Sequence, residues 1–284
     1  MNSALGPVLA MVIGIVGTSV IHLSKGFMRH GIGARSQRIY IVGVIMNFTN
    51  PLWVILANRY APTVFYTSMY GLGLVPLVIF SRLVLKEHLE RRQYHGIAII
   101  VLGTLLIGLG NLLGGKPSLY GVDRRLVVTI AVSWLVAAPV VAVMLRHRTI
   151  RLQEYFFGVA AGGLAALEAL VKGVAQAGPV TSTFLPQSPV MWWLFGASFL
   201  GAAGAFGMIQ WSYLRHCRAS MMGSLYDVAY VLLPLILTTI LVDEPVLGVW
   251  SVVGMVFLTM GVMQTIRTPA VKGSVQYATE TSTQ

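Results

Sequence analysis

Charge is scarce in this chain, and acidic charge above all. Charged residues make up 10% of the 284 positions, and only 9 side chains are Asp or Glu. Soluble domains carry about a quarter charged residues. With 56% hydrophobic residues and a mean hydropathy of +0.76, a soluble fold could not cover its apolar surface. A bilayer is the expected solvent. Cys217 is alone, which excludes a disulfide framework and a cysteine-rich metal site. No Walker lysine-serine motif, paired metal-binding histidines or serine elbow occurs, so neither an ATP-driven pump nor a hydrolase is supported. The expectation is a protein that is not an enzyme and needs no cofactor. The shortage of acids leaves a net charge of +11. The basic residues form short clusters between apolar runs rather than one patch, so a nucleic-acid partner is not expected.

What is present is a series of apolar runs. A span needs roughly 20 mostly apolar residues, and nine runs qualify: about 6–25, 39–58, 62–84, 94–112, 126–145, 155–177, 190–213, 220–242 and 246–266. The expected class is therefore an all-α polytopic membrane protein. The first run, Gly6 to Ser24, has basic residues only after it, the reverse of a cleavable signal. Lys25, Arg29, Arg35 and Arg38 follow span 1, and further basic clusters follow spans 3, 5, 7 and 9. Fifteen basic residues fall on that side against Arg59, Lys116, Arg124 and Arg125 on the other. The positive-inside rule gives an outside N-terminus and a cytoplasmic C-terminus, in a plasma (inner) membrane. Thr268 to Gln284 is polar and reads as a disordered tail.

Two stretches repeat. Glu87 lies in a charged turn before an apolar helix with Gly96 and Gly103; Asp243-Glu244 precedes another with Gly254 and Gly261. HLSKGFM at the end of span 1 matches ALVKGVA at the end of span 6, setting Lys25 on Lys172 and Gly26 on Gly173. Ala61 and Pro76 of span 3 are spaced like Ala219 and Pro234 of span 8. Span 1 runs inward and span 6 outward, so the halves are expected to be inverted repeats, a transporter device. The expected division is a first repeat over 1–113, span 5 with its connections over 114–154, a second repeat over 155–267 and a tail over 268–284.

The repeated glutamate turn and two-glycine helix resembles the drug/metabolite transporter superfamily, of the EamA-like kind. That resemblance covers most of the chain. It implies ten spans in two inverted five-helix halves; nine here implies a helix lost around span 5. Within the superfamily, Gly17–Gly31, GTSVIHLSKGFMRHG, looks like the first helix of the NIPA-type magnesium transporter family, with nine spans and an outside N-terminus. The resemblance implies a divalent cation such as Mg2+ as a candidate substrate. Lys25 stands alone where that family often has a basic run, and His22 and Trp192-Trp193 have no counterpart in it.

Charged groups inside a bilayer cost about 2.5–3.5 kcal/mol each on insertion scales, so they face a cavity or a partner. Asp227 in span 8 has no basic neighbour at helical spacing and is flanked by Tyr226 and Tyr230. It reads as a cavity carboxylate for a cation or a proton, or as a buried acid bonded to span 1 or 6. Glu168 and Lys172, one turn apart in span 6, read as a structural ion pair or as a lysine-restrained carboxylate. Asp227 and Glu168 are the candidate metal ligands. Asn47 and Asn50 precede Pro51 in span 2, where a broken helix exposes carbonyls or a kink carries helix-to-helix amide bonds. His22 reads as a proton relay or a polar helix contact. Lys25, at the inner end of span 1, reads as a snorkelling lysine. Glu87 and Glu244 read as structural helix caps, and Gly201, Gly204 and Gly207 of span 7 as a close-packing face.

The function expected is secondary transport of a small solute or cation by alternating access, with the site between spans 1, 3, 6 and 8. The alternatives are export of a metabolite, amino acid or drug, and a membrane enzyme or scaffold acting on lipid. The partners expected are the lipid bilayer and the solute, with a homodimer as an option.

Overall fold

The structure is a computed structural model and describes residues 5–86, 90–113, 118–178, 183–215, 217–242 and 247–266. All of its regular structure is helical: α1 Leu5–Gly33, α2 Gln37–Phe48, α3 Asn50–Asn58, α4 Thr63–Thr67, α5 Leu74–Leu83, α6 Arg91–Leu113, α7 Arg124–Met144, α8 Ile150–Gln176, α9 Pro189–Leu214, α10 Ala219–Leu241 and α11 Val249–Ile266. Eight segments are long and apolar enough to cross a membrane. The ninth apolar helix, described in that respect over Val249–Thr265, is shorter. The turns of Glu87 and Asp243-Glu244 and the tail lie outside the described residues.

Two spans are interrupted, each where the sequence removes helix hydrogen bonds. Pro51 has no N–H, and α2 gives way to α3 at Thr49, whose amide donates to the Met46 carbonyl. The third span, Thr63–Leu83, tightens into a 3₁₀ turn at Tyr70–Gly73 between α4 and α5. Gly71 and Gly73 lie in that turn and Pro76 follows in the first turn of α5. A mid-helix 3₁₀ stretch of this kind is a recurrent hinge feature.

α8 is the spine of the bundle. Nearly all of it is buried, and it packs along α9 and α10 with α7 alongside. α1 plays the corresponding part at the other side, packing along α2 and along the whole interrupted third span. Small residues permit these approaches. Gly201 of α9 faces the Leu164 carbonyl, and Gly162 of α8 faces the backbone of Tyr226. Gly204 packs against Leu135 and Leu164, whereas a side chain at Gly207 would meet open space. The expected packing face on α9 therefore stops one turn early.

The tightest pair is α6 with α11. A Cβ on Gly96 would stand 2.7 Å from the Gly261 carbonyl oxygen, and one on Gly103 2.7 Å from that of Gly254. Reciprocally, Gly254 and Gly261 meet the carbonyls of Gly103 and Gly96 at 2.6 Å. The order of contacts makes the helices antiparallel, with the two glycine pairs interlocked. Gly103→Leu is expected to destabilise the protein by about 1–3 kcal/mol or more through overpacking. Gly207→Leu should change little. Thermal unfolding of both variants in detergent checks the contrast.

Candidate functional site

Four segments bring their polar residues to one buried place. α1 contributes Thr18, His22 and Lys25; α10 contributes Tyr226, Asp227 and Tyr230; the interrupted third span contributes Tyr66 and Tyr70; α8 contributes Glu168 and Lys172. All ten are buried, with Tyr226 and Lys25 at 4% and 3% exposure the most accessible. Asp227 is eight residues into α10, roughly 12 Å along its axis.

His22 Nε2 lies 2.7 and 2.8 Å from the two Asp227 carboxylate oxygens. Its Nδ1 lies 2.7 Å from the Thr18 carbonyl, one helical turn back. Gly73 leaves room for this ring: a Cβ there would overlap Nδ1 and stand 2.7 Å from the Thr18 carbonyl oxygen. Lys25, one turn further along α1, sits 3.9 Å from Asp227. Its ammonium stands 3.6 Å from the centre of the Tyr226 ring and 5.4 Å from that of Tyr70, and makes no hydrogen bond to a described residue.

The tyrosines form a wall behind that ammonium. Tyr70 and Tyr230 have ring centres 3.9 Å apart, and Tyr226 stacks on Tyr230 at 5.9 Å. The hydroxyls of Tyr70 and Tyr230 are buried, that of Tyr70 facing Tyr226 and that of Tyr230 facing Asn50. Beyond them, Tyr66 donates to the Asn50 side-chain oxygen at 3.1 Å, and Asn50 donates to Glu168 at 3.5 Å. Glu168 is paired with Lys172, whose ammonium lies 4.0 Å from the Phe199 ring centre.

The site is bounded by polar ties at both ends of α8. At its start, Glu154 accepts from the Arg218 backbone amide at 2.9 Å and from its guanidinium at 3.0 and 2.9 Å. At its end, Gln176 accepts from Asn58 at 3.1 Å and donates to the carbonyls of Ile55, Thr183 and Phe184. Thr63 donates to Asn58 at 3.0 Å. The ties link α8 to the connection before α10 at one end and to α3 and the segment after α8 at the other.

Of the residues singled out from the sequence, His22, Asp227, Tyr226, Tyr230, Glu168, Lys172 and Asn50 meet in or beside this cluster. Asn47 turns instead toward α1, accepting from Ser24 at 3.4 Å. Lys25 does not snorkel. α1 continues two turns beyond it to Gly33, so it lies inside the helix and faces the core. Its match to Lys172 in the repeat is the sequence signal that points to the core instead. Tyr66 and the Asn58–Gln176 tie went unmarked because polar groups of that kind look the same in sequence whether they face a site or a neighbour. Among the described residues, no three His, Cys, Asp or Glu side chains converge to hold a metal ion. Asp227 and Glu168 each already face a nitrogen partner.

No family model, curated protein or solved structure matches the chain.

Gly73→Ala is expected to push His22 off Asp227 and to lower stability by about 1–3 kcal/mol, read as a fall in the thermal midpoint in detergent. Cys217, in the connection beside Glu154, gives a pH test of the tie at that end. Burial, and then the Glu154 carboxylate, push its thiol up to about 12, from about 8.5 for a free cysteine. The thiolate is the reactive form, so maleimide labelling of the folded protein should stay slow until strongly alkaline pH. The unfolded chain should label readily near neutrality. Fast labelling of the folded protein at neutral pH would contradict the described environment.

Proposed function

We propose that this chain is a multi-pass secondary transporter that carries a small organic solute around the site between α1, the interrupted third span, α8 and α10. The observation that carries this reading is a set of ionised and hydroxyl groups buried deep among apolar helices, closed toward both ends by separate polar ties. Ionisable groups at that depth mark solute and ion pathways. A lipid enzyme would instead be expected to cluster its acids at one interface.

Several features support nine spans in two inverted halves. α11 lies antiparallel along α6 with interlocked glycines, which fits a ninth crossing beside it. α1 packs on α2 and the third span as α8 packs on α9 and α10. Lys25 and Lys172, aligned by the repeat, both end against an aromatic ring. Inverted halves around a central site suit alternating access, one half rocking against the other. The likeness to the drug/metabolite transporter superfamily, an outside N-terminus and a non-enzymatic role are part of the same proposal.

The substrate follows from the lining. Magnesium, implied by the NIPA-type resemblance, would meet two carboxylates already paired with His22 and Lys172, and the ammonium of Lys25 beside them. Four tyrosine rings offer an organic body apolar faces and hydroxyls. Flux in proteoliposomes tests the reading, with Mg2+, amino acids, sugars and monocarboxylates offered with and without a pH gradient. At least one organic solute should enter faster than into protein-free vesicles. Asp227→Asn should lower gradient-driven uptake about tenfold or more. Flux of none of them would overturn transport; flux of Mg2+ alone would overturn the organic substrate.

A further inference from the structure

The His22 contacts fix the number of protons in the site. The Thr18 carbonyl only accepts, so Nδ1 of His22 must carry a hydrogen. Nε2 faces the Asp227 carboxyl at 2.7 and 2.8 Å. If Asp227 is ionised, Nε2 must donate and His22 is an imidazolium. If His22 is neutral, Nε2 accepts and Asp227 is the acid. Both forms hold the same proton, and both have zero net charge. The Glu168–Lys172 pair is also neutral. The charge left over in the cluster is the buried ammonium of Lys25, without a hydrogen bond to a described residue and steadied by the Tyr226 and Tyr70 rings.

A buried cation requires a counter-charge. In the same cluster the buried Tyr70 and Tyr230 hydroxyls face the Tyr226 and Asn50 side chains and can turn to donate to a bound anion. One unit of positive charge, two hydroxyl donors and a wall of rings specify an anion of one charge with an organic body. We propose that the site takes a small organic monocarboxylate, its carboxylate on Lys25, and carries it together with the proton shared by His22 and Asp227.

The inference rests on the transporter reading and names its substrate class and coupling ion. Proton and anion are linked through Asp227. With the proton gone, Asp227 is a bare carboxylate 3.9 Å from Lys25 and competes with the solute for it. With the proton present, Lys25 is free for the solute. The linkage is reciprocal, so the anion also raises affinity for the proton. The groups facing the pair do not supply another counter-charge. α10 offers Tyr226 and Tyr230, the third span Tyr66 and Tyr70, α2 and α3 the amides of Asn47 and Asn50, and α8 the already paired Glu168 and Lys172. One proton and one monoanion cross as a neutral cargo, and no covalent bond is made or broken.

The test uses the full chain in proteoliposomes with pyruvate and benzoate as probes, protein-free vesicles as background, and Mg2+ and alanine as controls. Uptake of at least one probe should be driven by an acidic exterior and be indifferent to an imposed membrane potential. An internal pH dye should record one proton per anion. Lys25→Gln should weaken probe binding in detergent about thirtyfold or more, while Lys25→Arg retains it. Asp227→Asn, which stands in for the protonated acid, should still bind the anion but lose the pH dependence. The proposal is overturned if Mg2+ or alanine crosses and neither carboxylate does, if carboxylate uptake carries net charge, or if Lys25→Gln binds unchanged. If nothing crosses, the transporter reading falls with it. The proton-to-anion ratio is measured on the unaltered protein, so variants that fail to fold do not block the decision.

Discussion

The contact between Asp227 and His22 constrains the rest of the site. A carboxylate eight residues into α10, taken out of water among apolar helices, is tolerated only with a close partner. The partner comes from α1, which fixes how α1 and α10 approach. That approach leaves no space for a side chain at residue 73 and holds the interrupted third span against both helices. Lys25, carried on the same face of α1 one turn away, is thereby buried against Tyr226 rather than released to an interface. The tyrosines then fill the space between this end of the site and the Glu168–Lys172 pair.

α8 distributes the consequences along the bundle. Glu154 at its start, Glu168 within it and Gln176 at its end each bond a different neighbour: Arg218, Asn50 and Asn58. A helix held at three levels by polar contacts in an apolar surround is rigid while all three persist. The glycine-interlocked α6–α11 pair makes the complementary contribution. At its four glycines the contacts are to backbone and to Thr265, Ile100, Ile107 and Phe257, with no charged side chain among them.

Much of this was legible in the sequence, for physical reasons that differ from residue to residue. The eight long apolar helices follow from run length, since a bilayer demands it. The glycines of α6 and α11 stood out by their matched spacing as a repeat, which does not say that the two helices lock onto one another. Asp227, Glu168 and Lys172 stood out because charge is rare in such runs. Their partners were harder to read. His22 and Asp227 are 205 residues apart, and nothing local to either specifies the other. Lys25 was misplaced by the rule that lysines near a span end reach for water; that rule fails where the helix continues and an acid waits in the core. The 3₁₀ turn at Tyr70–Gly73 was hidden inside a run that periodicity reads as one helix. Proline at 76 signalled a distortion but not its position.

Transport as proposed requires the tyrosine-lined site to open alternately to the two sides of the membrane. Accessibility of a single cysteine tests this most directly. In a Cys217→Ala background, Tyr230→Cys would be exposed in reconstituted vesicles to a membrane-impermeant thiol reagent from each side in turn. The account predicts modification from both sides, slowed from both by the transported solute. Modification from one side only, or none from either while the protein remains folded and active, would contradict it.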